Sequence, residues 1–205
     1  MDQRAESPSR RPHPFRAAVF LKSAASPRDF PPDAGREVAF AGRSNAGKSS
    51  VINALAGNRR LARTGKTPGL TRLINFFTVR DGVRLVDLPG YGFARVAANV
   101  RAGWERAIDT YLRGRRSLAG LVVIMDARHP FTPADQAFLA TARAAGREVH
   151  VLLNKADKLS RGEAARTLRE ATAKAGPGVS VQLFSAAKGD GLEALETVLD
   201  GWLSD

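Results

Sequence analysis

EVAFAGRSNAGKSSVINALAG, residues 37–57, runs from an apolar segment through a glycine-bracketed loop into a helical pattern. Within it, Gly42 to Ser49 matches G-x-x-x-x-G-K-[ST], placed directly after a strand signal and directly before a helix signal, the context the motif requires. Glycines let such a loop wrap so that successive N–H groups point inward at phosphate oxygens, and the helix N-terminus adds its positive dipole end. Gly42, Arg43, Ser44, Asn45, Ala46, Gly47, Lys48, Ser49 and Ser50 are therefore expected to form a phosphate cradle. Lys48 would neutralise the β and γ phosphates, and the Ser49 hydroxyl would ligate Mg²⁺.

Working outward, apolar runs alternate with helical patterns from Glu37 to the C-terminus, the signature of a mostly parallel sheet with helices on both faces. Residues 73–80 and 83–87 are separated only by Asp81-Gly82, a hairpin turn, so one strand must run antiparallel. The expectation is an α/β three-layer fold with six strands, one of them antiparallel. Residues 1–35 hold six of the eleven prolines and scattered arginines, which predicts a flexible basic tail with a short ordered stretch at Ala18–Leu21. The domain proper is then 36–205, with no repeat and no second core.

Composition removes several function classes. The 205 residues are 43% hydrophobic and 25% charged, a composition able to bury a core. Zero cysteines excludes disulfides, thiolate metal sites and cysteine nucleophiles. No apolar stretch has the length of a membrane span and MDQRAESPSRRPHPF has no signal-peptide core, so a cytoplasmic protein without membrane insertion is expected. Asp2 and Glu6 argue against a transit peptide. His13, His129 and His150 share no metal-ligand spacing.

Asp87 ends the second hairpin strand, at the edge where open α/β sheets bind ligands, and its carboxylate would reach Mg²⁺ directly or through water. Gly90 completes D-x-x-G, and its N–H would meet a γ-phosphate because no Cβ intervenes. Thr71, between the first helix and the hairpin, would supply a second hydroxyl to the metal; the plain alternative is a polar surface loop. NKAD, Asn154–Asp157, follows an apolar run on the same edge. Guanine offers N1–H and its 2-amino group side by side, a donor pair that the Asp157 carboxylate accepts and adenine lacks. Asn154 would brace the surrounding loops, the Lys155 stem would lie across the base, and in FSAAKGDG the Ala186 N–H would bond guanine O6 while Ser185 holds the turn.

GRSNAGKSS, LARTGKTPGLTRLINFF, VDLPGYGFA and FSAAKG, in this order, resemble the EngB (YihA/YsxC) family of translation-factor-class P-loop GTPases over about residues 15–203. That resemblance implies slow GTP hydrolysis to GDP and a switch role in large ribosomal subunit assembly and in normal cell division and septation. It also implies nucleotide contacts at Gly42–Ser49, at Gly69, Leu70, Thr71, Arg72 and Leu73, and at Asp87, Leu88, Pro89 and Gly90. Further contacts are implied at Asn154, Lys155, Ala156 and Asp157 and at Phe184, Ser185 and Ala186, with Mg²⁺ on Ser49 and Thr71. Many family members carry Thr where this chain has Asn154, and Asn is the commoner residue among GTPases generally.

Ras-like GTPases place a water-orienting glutamine directly after D-x-x-G, where this chain has Tyr91, so slow turnover by the protein alone is expected. A group supplied from outside would then matter, since an inserted arginine is worth about 10³–10⁵ in rate. Asn45 offers one route: GTPases with Asn at this position and no glutamine after D-x-x-G resemble potassium-activated enzymes, with K⁺ held near the phosphates. Its plain alternative is a side chain that braces its own loop.

The formal charge is +12, and basic stretches flank the segments that a γ-phosphate would order: NRRLARTGK at 58–66, and Arg95, Arg101, Arg106, Arg113, Arg115 and Arg116. An RNA-facing surface on a maturing large ribosomal subunit, without DNA sequence recognition, follows from that placement, against a merely solvated arginine surface. Trp104, Ile108 and Tyr111 form a core-facing helical stripe, and a monomer is expected. The rival reading is a nucleotide-gated scaffold at the division site with incidental hydrolysis.

Overall fold

Val38 and Phe40 on one face of a strand, and Ala39 and Ala41 on the other, are all completely buried, so both faces of that strand are covered. The computed structural model describes residues 13–62, 73–92 and 98–204, with the backbone alone for 98–105. Its strands are β1 (Val19–Ala24), β2 (Arg36–Gly42), β3 (Ile74–Arg80), β4 (Val83–Asp87), β5 (Leu118–Asp126), β6 (Val149–Asn154) and β7 (Val179–Leu183). The helices are α1 (Lys48–Ala56), α2 (Ala98–Gly114), α3 (Pro133–Ala144), α4 (Arg161–Ala175) and α5 (Leu192–Leu203).

One sheet has the order β1-β3-β4-β2-β5-β6-β7. Only β3 runs against the others, as the two-residue turn requires: Gly82, at φ 72°, takes the left-handed conformation there. Strand parity sorts the core into two layers. Val38, Phe40, Val122 and Ile124 pack with Val51, Ile52 and Leu55 of α1 and Leu195, Leu199 and Leu203 of α5. Ala39, Ala41, Leu121 and Val123 pack with Ile108, Tyr111 and Leu112 of α2, Phe138 of α3 and Ala171 of α4. Ile108 and Tyr111 thus bury the stripe read from the sequence; the side chain of Trp104 lies outside the described residues.

Two expectations are corrected. The sheet has seven strands, not six, because β1 pairs antiparallel with β3 at the edge. That strand lies in the stretch read as tail, and Phe15, 2% exposed, packs into the α1–α5 layer, so residues 13–35 are built into the domain. Secondly, Arg115 does not face a partner. It is buried and gives two hydrogen bonds to Glu37, at 2.9 and 2.6 Å, and one to the Pro31 carbonyl at 2.8 Å. Glu37, fully buried at the start of β2, also accepts from Arg84 Nε at 2.7 Å and the Tyr111 hydroxyl at 3.0 Å. Arg113 spans one helical turn to Asp109, 2.7 Å away, while Arg116 remains open to solvent.

Candidate active site

The open end of the sheet gathers the C-terminal ends of β2, β4, β5 and β6, and every motif that the described residues retain lies there. Gly42 ends β2 and Lys48 opens α1, so Arg43–Gly47 form the connecting loop. Gly47, at φ 97°, precedes the helix, and a Cβ there would stand 2.2 Å from Asn154 Nδ2. Both the conformation and the contact require glycine. Asn45, also left-handed at φ 65°, sits exposed at the mouth. The loop after β4 is laced onto this cradle: Leu88 N–H donates to the Phe40 carbonyl at 3.0 Å, Tyr91 N–H to Gly42 at 3.3 Å, and Ser44 N–H to Tyr91 at 3.2 Å.

Asp87, 3% exposed, forms a close ion pair with Lys48 through Oδ1. Lys48 therefore stands between the acid that ends β4 and the space above the loop where phosphates would lie. Among the described residues no cluster of three His, Cys, Asp or Glu could hold a metal alone. Mg²⁺ does not need one: it keeps waters and takes one or two protein oxygens plus phosphate oxygens. Asp87, half-buried Ser49 in the first turn of α1 and a nucleotide fit that donor set. Gly69, Leu70, Thr71 and Arg72 lie outside the described residues; Leu73 is described, and is 37% exposed.

Asn154, buried at the end of β6, donates from Nδ2 to the Ala46 carbonyl at 2.9 Å and accepts the Ala186 N–H on Oδ1 at 3.1 Å. One amide thus joins the phosphate loop to the loop after β7, the bracing read from the sequence. The same bond occupies the N–H assigned to guanine O6, so the base would share that donor. Lys155 Nζ donates to the Asn45 carbonyl at 2.6 Å and to Asp126 Oδ2 at 2.9 Å, carrying its stem from the β6 loop to the phosphate loop. Ser185 donates to Asp157 Oδ1 at 2.7 Å, and this hydrogen bond holds the Asp157 carboxyl below its usual range, ionised and ready to accept a donor pair. Its other oxygen meets the solvent-exposed Lys158, 3.3 Å away.

Tyr91 turns away from this opening. Its ring is 4% exposed, stacks on Phe138 of α3 at 4.5 Å between centroids, and its hydroxyl donates to Asp135 at 2.9 Å. Burial, reinforced by that carboxylate, pushes the phenol far above its ordinary pKa. A neutral hydroxyl already committed to Asp135 neither orients water nor gives up a proton.

Sequence reasoning missed Asp126, Asn75 and Ser23. Asp126 ends β5 and takes Arg128 through two bonds at 2.9 and 2.7 Å besides Lys155, and the Arg128 contact lowers its pKa most. An acid ending an apolar run on the same edge as Asp87 and Asn154 was the available signal. Asn75 donates to Asp87 Oδ2 at 3.5 Å and receives the Ser23 hydroxyl at 2.6 Å. An asparagine inside the apolar run INFF marked Asn75; nothing marked Ser23.

The profile of a family described as 50S ribosome-binding GTPase matches residues 37–155. The chain is 55% identical over 193 residues to the "Probable GTP-binding protein EngB" of Azoarcus sp. (strain BH72), covering 92% of each chain. A protein of the same name from Dechloromonas aromatica (strain RCB) is 51% identical over 194 residues, 92% of this chain and 88% of its own. Among solved structures, a probable GTP-binding protein engB superposes with TM-score 0.62 at 24% identity, covering 82% of this chain and 98% of that one. The structure of Era bound to MgGDPNP and a 16S rRNA fragment gives TM-score 0.67 at 20% identity over 84% of this chain and 58% of that one. These two likenesses carry the fold, a Ras-like α/β sheet with a phosphate loop after its central strand. Sharing more than half its aligned positions with proteins of one name across nine-tenths of its length, the chain belongs to the EngB family of P-loop GTPases.

Proposed function

We propose that this protein is a GTP-hydrolysing switch that binds the maturing large ribosomal subunit with GTP and leaves after hydrolysis, and that normal septation depends on it. It acts in the cytoplasm; no helix among the described residues is long and apolar enough to cross a membrane. The observation that carries the reading is the match of residues 37–155 to the 50S ribosome-binding profile, a span that includes the phosphate loop, Asp87 and Asn154.

The chemistry is in-line attack of water on the γ-phosphate, with no protein nucleophile. Lys48 leaves Asp87 for the β and γ phosphates, and loop amides and the Gly90 N–H hold the charge that develops. Mg²⁺, held by Ser49, Thr71 and Asp87, would supply further neutralisation of the phosphates. Asp157 selects guanine, with Lys155 across the base and Asn154 fixing the distance between base and phosphate loops. With Tyr91 committed to Asp135, no side chain directly after Gly90 orients water, which supports slow turnover unless K⁺ near Asn45 or the ribosomal partner completes the site. Equal hydrolysis rates in K⁺ and Na⁺ would remove potassium from the account.

RNA contact falls to arginines the fold leaves in solvent, Arg59, Arg60 and Arg116 among them, whereas Arg115 is excluded by its burial. Co-sedimentation with purified large subunits tests the role: binding with a non-hydrolysable GTP analogue, loss with GDP, and weakening as salt rises are expected. Absence of binding in both nucleotide states overturns it in favour of a protein scaffold at the division site.

A further inference from the structure

Asp87 has a partner that none of the nucleotide motifs contains. Across the sheet its register neighbour on β3 is Asn75, and the neighbour of Asn75 on β1 is Ser23. Three polar side chains therefore stand in one row across three strands, while Ile74 and Phe76 on either side of Asn75 are buried. A carboxylate cannot donate, so Asn75 must turn its amide nitrogen toward Asp87, 3.5 Å from Oδ2, and its oxygen toward Ser23. The Ser23 hydroxyl, 2.6 Å from that oxygen, donates to it and fixes the orientation.

The two oxygens of Asp87 are thus held from opposite sides: Oδ1 by Lys48, Oδ2 by Asn75. The first partner is also the lysine that the phosphates need. We propose that Asn75, oriented by Ser23, is a positioning residue that keeps the Asp87 carboxylate in place when Lys48 departs, leaving Oδ1 aimed at Mg²⁺ or one of its waters. The inference rests on reading Asp87 as a contributor to the Mg²⁺ site. It assigns a purpose to β1 as well, since the edge strand supplies the hydroxyl that orients the amide.

The test is the Mg²⁺ dependence of GDP release, followed with a fluorescent GDP on the full chain. A hydrogen bond to a charged group is stronger than one between neutral groups, but at 3.5 Å this one is long, so N75A should raise the Mg²⁺ concentration for half-maximal slowing about tenfold. GDP affinity in EDTA should stay within about twofold, because no bond to nucleotide is removed. S23A, on a half-buried edge position, should shift the midpoint in the same direction by less, and should add nothing in the N75A background. Thermal unfolding of the ligand-free variants confirms that each is folded before the titration. An unchanged midpoint in N75A, equal losses with and without Mg²⁺, or a fully additive S23A effect would each overturn the proposal. A wild-type protein whose GDP release ignores Mg²⁺ would instead overturn the reading of Asp87 on which it rests.

Discussion

The two ends of strand β2 carry charge for opposite purposes. At its start, Glu37 is fully buried and takes donors from Arg84, Arg115 and Tyr111, all supplied by this chain. At its end, Lys48 pairs with Asp87, an arrangement that a phosphate would replace. Lys155, bridging Asn45 and Asp126 beside it, is half-buried and leaves part of its side chain for a base to cover. One end is closed: its buried charges have found permanent partners and report only on folding. The other is open, and its ion pairs hold the site in shape until a ligand takes one member. A buried ion pair is therefore no sign of a site by itself; what separates the ends is whether a partner can be exchanged without leaving a charge stranded.

The contrast breaks if the closed end influences nucleotide. Glu37→Gln leaves Arg115 and Arg84 without their shared anion, and loss of one member of a buried pair costs about 3–5 kcal/mol. For a chain of this size each kcal/mol lowers Tm by about 2–4 °C, so a fall on the order of 10 °C is expected in calorimetry. GDP affinity should not move. A variant that keeps its Tm but binds nucleotide weakly would show that the network serves the site.

His150 sharpens the same contrast through pH. It sits near the start of β6, 2% exposed, with Nε2 donating to Gln182 Oε1 at 3.0 Å and Nδ1 accepting from the Ser180 hydroxyl at 2.8 Å. Gln182 uses its own amide nitrogen on the Gly191 carbonyl, which fixes its oxygen toward the imidazole. Burial lowers the His150 pKa from 6.5 to about 4. The folded state thus favours the neutral ring: its stabilising contribution is complete above pH 6.5 and is lost as pH falls from 6.5 to about 4. Over that window the loss approaches about 3 kcal/mol, readable by urea unfolding, and His150→Gln should flatten the slope. An equally steep slope in the variant assigns the pH dependence elsewhere. At the open end, Asp157→Asn should leave stability alone and weaken GDP by about 10–100-fold, while favouring a xanthine base whose 2-oxo group suits the new amide. Unchanged GDP affinity in calorimetry removes Asp157 from base selection.

The open end was legible because its chemistry is local: the eight consecutive positions of GRSNAGKS form the phosphate cradle, and NKAD and D-x-x-G each fit within a single turn at a strand end. The closed end was not, because it assembles residues 37, 84, 111 and 115 through the fold, and in the sequence Arg115 looks like any solvated arginine among its neighbours. Strand β1 was legible only as the ordered stretch Ala18–Leu21, not as a strand of the sheet, for a related reason. VFLKSA lies between prolines, and Val19, Phe20 and Leu21 are 59%, 55% and 45% exposed, so the first half of this edge strand meets solvent on both faces and shows no alternation. Asn75 and Ser23 acquire their meaning only from the register that β1 creates.

Tyr91 lies where the two behaviours meet, following the Gly90 loop yet held by permanent partners, and it gives the smallest and most discriminating effect. Tyr91→Phe keeps the stack on Phe138 and removes only the donor to Asp135. Asp135 retains its other oxygen in the capping box of α3, where it accepts from the Thr132 N–H at 2.9 Å and hydroxyl at 2.7 Å. One buried acceptor losing its donor costs about 1 kcal/mol, a Tm change of a few degrees. If the hydroxyl is structural, single-turnover GTP hydrolysis should stay within about twofold of wild type at every pH, since no proton leaves the phenol and no water depends on it. A tenfold fall in that rate with GDP affinity intact would place the hydroxyl at the reacting water, and would require the Asp135 bond to break when GTP binds.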